Sequence, residues 1–306
     1  MQEPLPLTEQ ANPASQGLDR LSLLDAVHMM NKEDQKVVNA VEAAAPRIAA
    51  AIEDVVNTFK GGGRLIYTGA GTSGRLGVLD ASECPPTFGT PPEMVQGIIA
   101  GGLSALHSAA EGAEDVEAQA IEDLSHLRSE DMVVGIASSG TTPYVRSGIR
   151  HAKALGCRTA LITCNVIPED DSAIDHYLVL EVGPEVLTGS TRLKAGTATK
   201  MVLNMLTTLS MANIGKVYDQ YMVDLKVSNQ KLQKRAVRML CQLGGASVAR
   251  AEDLLGQTKG EVKTALYIQK RWPDEVISNL QVAEAREALK TYEGDLRNAL
   301  EAVHAQ

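Results

Sequence analysis

The stretch Leu65-Ile66-Tyr67-Thr68-Gly69-Ala70-Gly71-Thr72-Ser73-Gly74-Arg75-Leu76-Gly77 sets the reading of the whole chain. A short apolar run breaks into glycine and hydroxyl residues and then resumes with helical spacing, which predicts a strand, a tight turn and a helix N-terminus in succession. At such a junction the unpaired backbone N–H groups and the positive end of the helix dipole favour an anion. The stretch reads as a phosphate or sugar-phosphate loop.

Working outward, short apolar runs at Arg64–Thr68, Met94–Ala100, Met132–Ala137, Arg158–Thr163 and Tyr177–Leu180 alternate with helical patterns at Gly74–Ser82, Leu103–Ala109, Glu114–Leu127, Pro143–Leu155 and Ser190–Lys216. This alternation predicts an α/β fold with a doubly wound, mostly parallel five-stranded sheet. Upstream, Val37, Val38, Val41, Ile48, Ile52, Val55, Val56 and Phe59 recur at three- and four-residue spacing, predicting one face of a long helix from Asn31 to Lys60. Residues 1–18 hold Pro4, Pro6, Pro13 and Gly17 among polar residues, the composition of a flexible arm. From about Leu225 the sequence becomes charged and helix-forming, without strand candidates. The expected organisation is a flexible arm over 1–18, a sugar-phosphate domain with N-terminal helices over 19–225, and a small all-α C-terminal domain over 226–306.

The 306 residues carry a net charge of −9 and 3% aromatics. That balance argues against nucleic acid as a partner, which would need a clustered basic surface and stacking platforms. The four cysteines show no CxxC pair and no histidine at ligand spacing, so neither a metal site nor a disulfide framework is expected. No apolar run approaches the ~18 residues of a membrane span, and Met1–Pro13 lacks the pattern of a signal peptide. A cytoplasmic protein without membrane partners is expected.

Gly69-x-Gly71-x-x-Gly74 matches a dinucleotide fingerprint, but Glu93 precedes the next strand instead of following it. As a Walker loop the stretch fails at Arg75 and Leu76, which replace the lysine and the magnesium-binding hydroxyl. What remains are Thr72 and Ser73, placed to cap the helix and to bind ligand oxygens. A second loop, Ala137-Ser138-Ser139-Gly140-Thr141-Thr142-Pro143, sets four hydroxyls and a glycine between a strand and a helix, a nest for a small phosphate. A third cluster, Thr188-Gly189-Ser190-Thr191, opens the long helix. Lys194 and Lys200 are further phosphate candidates, one turn apart, and His176 is a candidate for sugar-ring opening.

The stretches Thr68–Arg75, Asp80-Ala-Ser-Glu-Cys-Pro-Pro86, Ala137–Pro143 and Leu193-Lys-Ala-Gly-Thr-Ala-Thr-Lys200 resemble the N-acetylmuramic acid 6-phosphate etherase family, within the sugar isomerase (SIS) superfamily. The resemblance implies a cytoplasmic homodimer that cleaves the D-lactyl ether of a muramic acid 6-phosphate, with Glu83 as acid and Glu114 as base and no cofactor. Loss of the C3 ether does need such a pair: one carboxylate to take the C2 proton, acidified by an open-chain aldehyde, and one carboxylic acid to protonate the leaving oxygen. Cys84-Pro85-Pro86 would supply an apolar setting that favours the protonated form of Glu83. An aldose–ketose isomerase and a sugar-phosphate sensor share the fold and remain alternatives, although no basic recognition helix supports the sensor.

Overall fold

The computed structural model describes residues 5–304 except 109, 111, 169, 226, 228 and 229. Two helices lead the chain, α1 (Leu23–Ala43) and α2 (Ala45–Lys60), where periodicity predicts one. Pro46 sits in the first turn of α2 and cannot donate to the carbonyl four residues back, so the helix is re-initiated at Ala44. The apolar stripe runs across the break because a proline at a helix start leaves the spacing intact. Ser22 caps α1 by accepting from the Asp25 N–H.

The sheet follows: β1 (Leu65–Gly69), α3 (Gly71–Phe88), β2 (Val95–Ile99), α4 (Glu117–Asp123), β3 (Met132–Ile136), α5 (Pro143–Ala154), β4 (Arg158–Thr163) and β5 (His176–Val179). The five strands lie in the order β2-β1-β3-β4-β5, all parallel. The fold is therefore α/β with a doubly wound five-stranded sheet. Every residue of β1 and β3 is buried, as expected of central strands covered on both faces. The long helix α6 (Lys194–Asn213) begins after the sheet is complete. Short 3-10 turns at Leu103–Leu106 and Ala113–Asp115 stand where helices are predicted from 103 and 114.

The rest of the chain is a small hairpin, β6 (Val217–Tyr218) with β7 (Tyr221–Met222), and the helices α7 (Gln230–Gly244), α8 (Val248–Gln257), α9 (Val262–Arg271), α10 (Asn279–Thr291) and α11 (Leu296–His304). Internal contacts group Met1–Ser82 with Pro92–Thr208, and Glu83–Pro91 with Leu209–Gln306. The hairpin thus goes with the helical unit, whose core includes Leu240, Leu254, Leu266, Ile268 and Ala285. Among the described residues, no helix is long and apolar enough to cross a membrane.

Of the stretch expected to be a flexible arm, residues 1–4 lie outside the described residues and the rest is folded. From Leu7 to Arg20 it forms three short 3-10 turns, and Thr8 and Asn12 are buried polar residues. Asn12 donates from Nδ2 to Glu33 Oε2 at 2.8 Å and to the Pro184 carbonyl at 2.9 Å. Glu33 also receives Lys194 Nζ at 2.8 Å, a pair in which neither side chain is more than 4% exposed. Burial alone would raise the Glu33 pKa, but the hydrogen bonds from Lys194, Lys36 and Asn12 outweigh it and hold the carboxyl at about 2, down from 4.5. Its charged form therefore stabilises the fold above pH 4.5, and the contribution fades as pH falls from 4.5 towards 2. Lys194→Ala, which leaves that carboxylate to Lys36 and Asn12 alone, is expected to lower unfolding stability by about 1–3 kcal/mol in urea titrations, where a surface lysine would cost under ~1 kcal/mol. Glu33→Gln should flatten the decline of the thermal midpoint across the same acid range.

Candidate active site

Parallel pairing puts Gly69 of β1 beside Ile136 of β3, so the turns after both strands leave the sheet at one level. This is the point where strand order reverses, the crevice in which open α/β sheets bind ligands. The first turn is compact because α3 starts at Gly71, whose φ is +52°. A Cβ on Gly74 would lie 2.6 Å from both the Gly69 carbonyl oxygen and Ile99 Cγ1, so glycine alone lets α3 approach β1 this closely. Thr72 and Ser73 consequently sit inside the first helical turn, not at a cap before Gly74, and both are half-buried.

In the second turn the Gly140 N–H donates to the Ala137 carbonyl at 2.8 Å, with φ at +77°. Ser139 Oγ accepts from the Thr141 N–H and the Thr141 hydroxyl, both at 3.2 Å, and lies 3.5 Å from Thr142 Oγ1. Ser138, Ser139 and Thr142 are half-buried and Thr141 is exposed. The hydroxyls form one cluster above the end of β3, and Pro143 opens α5 directly behind it.

Glu114 is exposed and lines a cavity of about 170 Å³ together with Ala70, Gly71, Arg75, Ala100 and Ala113. The first turn and Glu114 therefore share one wall. Arg75 reaches along this wall and donates to the carbonyls of Leu106 and Ser108, both at 3.2 Å, fixing the segment between β2 and Glu114. The third cluster is also near: a Cβ on Gly196 of α6 would lie 3.7 Å from Thr72 Cγ2, and Ser190, half-buried, precedes that helix.

Other expected residues stand elsewhere. The Lys194 ammonium is closed off on Glu33, and releasing it would break a buried pair, so it is not an available phosphate donor. His176 begins β5, at the sheet end opposite the two turns, and its Nε2 lies 2.8 Å from Asp54 Oδ2. Glu83 lies on α3 at an exposed position, whereas Cys84 turns inward at 2% exposure, so the apolar setting expected for Glu83 belongs to its neighbour. Glu114 falls in the first unit and Glu83 in the second. Asp80 stands one turn before Glu83 on α3, and the sequence signals it only as a member of the Asp80–Pro86 stretch. Its carboxylate is buried and accepts from Asn204 at 2.7 Å, Tyr67 at 3.0 Å and Thr207 at 3.3 Å, while burial raises its pKa. It ties α3 to β1 and α6.

A family model described as the N-terminal SIS domain of glucokinase regulatory protein matches residues 47–153, and one described as that protein's C-terminal lid domain matches residues 219–289. The N-acetylmuramic acid 6-phosphate etherase of Erwinia tasmaniensis is 49% identical over 304 residues, 98% of this chain and 96% of its own. The chain belongs to the N-acetylmuramic acid 6-phosphate etherase family. The etherase of Geobacillus thermodenitrificans is 49% identical over 296 residues (96% of this chain, 98% of its own), and that of Serratia proteamaculans 50% over 300 residues (96% and 97%).

In this etherase-family chain the second turn leaves no room at Gly140. An added Cβ would meet Thr163 Oγ1 at 2.8 Å in a left-handed backbone. Gly140→Ala is expected to lower the unfolding free energy by about 1–3 kcal/mol, read from the urea midpoint. An unchanged midpoint would contradict this geometry.

Proposed function

We propose that this chain cleaves the D-lactyl ether of N-acetylmuramic acid 6-phosphate, giving N-acetylglucosamine 6-phosphate and D-lactate, as a carbon–oxygen lyase followed by hydration. The observation that carries the reading is the shared wall of the first turn and Glu114, in a chain alike to etherases along almost its whole length. The hydroxyls and N–H groups of Thr72, Ser73, Ser138, Ser139, Gly140, Thr141 and Thr142 hold the 6-phosphate, with Ser190 closing the site. Small hydroxyl side chains suit this task because they donate to phosphate oxygens at short reach.

With the sugar in its open-chain form, the C1 aldehyde acidifies the C2 proton, and the Glu114 carboxylate removes it. The electron pair left on C2 forms the C2–C3 double bond as the C3–O bond breaks, and Glu83 as carboxylic acid protonates the departing lactate oxygen. Water then adds at C3 with Glu83 as base, and the proton returns to C2. These steps are proton transfers between each carboxyl group and the substrate or water, and such transfers need neither metal nor cofactor. The working unit in this reading is a homodimer acting in the cytoplasm; its pairing is supported by Leu23, Leu24 and Val27, which stand 62–88% exposed along one end of α1.

D-Lactate release from N-acetylmuramic acid 6-phosphate tests the proposal. Glu83→Gln is expected to lower release by about 10²–10⁴-fold. Glu114→Gln should lower it similarly and also suppress exchange of the C2 proton with solvent deuterium. Aldose–ketose interconversion without lactate would select the isomerase, and exchange that survives in Glu114→Gln would assign the base to another residue.

A further inference from the structure

The geometry points to Asn165 and the N-terminal segment around Thr8 as positioning elements for the second phosphate turn. The inference rests on the reading of residues 138–142 as a phosphate site.

Asn165 follows β4 and is 3% exposed, and Thr8 is 1% exposed. One amide group joins three places in the fold. Its Oδ1 accepts the Thr8 N–H at 3.1 Å, and its Nδ2 donates to Thr8 Oγ1 at 2.9 Å and to the Ser138 carbonyl at 3.0 Å. Both amide hydrogens are thereby used, and the orientation of the group is fixed. The Ser138 carbonyl also accepts the Cys164 N–H at 3.0 Å and the Thr163 hydroxyl at 3.3 Å. In a trans peptide the N–H of the next residue points opposite to the carbonyl. Holding the Ser138 oxygen down against β4 therefore turns the Ser139 N–H to the other side of the peptide plane, away from Asn165.

The same segment reaches the third hydroxyl cluster. The Gly189 N–H donates to the Thr8 carbonyl at 3.2 Å, next to Ser190. Thr8 thus braces the second turn through Asn165 and the Ser190 turn through its own backbone. Downstream, Asn12 anchors the segment on Glu33. A stretch that carries no catalytic group thus braces the second phosphate turn and the Ser190 turn that closes the site.

Three variants of the full chain test this: Thr8→Val, which keeps shape and loses the hydroxyl acceptor; Asn165→Asp, which replaces the donor facing Ser138 with an acceptor; and Thr8→Ser, which restores the hydroxyl. For Thr8→Val and Asn165→Asp the KM for N-acetylmuramic acid 6-phosphate should rise about tenfold, the scale of one lost buried hydrogen bond, with kcat within about twofold. Amide exchange over 137–142 in the ligand-free protein should quicken, and Thr8→Ser should restore both readouts. A loss confined to kcat, or unchanged KM with unchanged exchange, overturns the positioning role. Quicker exchange with unchanged KM instead overturns the phosphate reading of the turn, and the role given to Thr8 falls with it. If either variant fails to fold, the remaining one decides by the same criteria.

Discussion

The register of β1 on β3 is the constraint from which the site follows. Because Gly69 stands beside Ile136 in parallel strands, two separate sequence stretches, 70–74 and 137–142, emerge at the same height on the same edge of the sheet. A slip of this pairing by one residue would turn every side chain of a fully buried strand to the other face, so the register is strongly specified. The glycines serve it: Gly74 lets α3 start against the end of β1, and Gly140 lets the second turn fold over Thr163. The anion site is thus a consequence of sheet geometry, and the hydroxyl side chains add specificity to donors that the backbone already supplies.

Buried polar groups brace the sheet and the helices around it. Asp80 gathers Tyr67, Asn204 and Thr207; Glu33 gathers Lys194, Lys36 and Asn12; Asn165 gathers Thr8 and Ser138. Satisfied networks of this kind hold one arrangement, because leaving a single member unpaired costs the desolvation of that group. Such rigidity suits a site that must hold a phosphate while protons move elsewhere on the sugar. Burial also pushes the Cys157 thiol up to about 11 and the Cys164 thiol up to about 12, which favours their neutral forms.

What could be read from the sequence was what is local. The five strands of the parallel sheet are short apolar runs that the sequence places within a residue or two, since a buried parallel strand is written in consecutive residues, whereas the two-residue strands β6 and β7 leave no such run. The hydroxyl turns were legible because strand, glycine and helix start lie side by side. The break at Ala44 was not, since Pro46 stops a hydrogen bond without disturbing the apolar stripe. The order of residues 7–20 was hidden as well, because it rests on partners at Asn165, Pro184 and Glu33, and composition records only the prolines. Lys194 shows the same gap, as a lysine near a hydroxyl cluster reads as a phosphate donor until its distant carboxylate is known.

Binding of the two turns to a single phosphate is the claim on which the functional account stands. The most direct measurement is amide hydrogen exchange of the whole protein with N-acetylglucosamine 6-phosphate, compared with N-acetylglucosamine. The account predicts slowed exchange over both 71–74 and 138–142 with the phosphorylated sugar and none with the unphosphorylated one. Equal protection by both sugars, or protection that leaves either turn untouched, would contradict it.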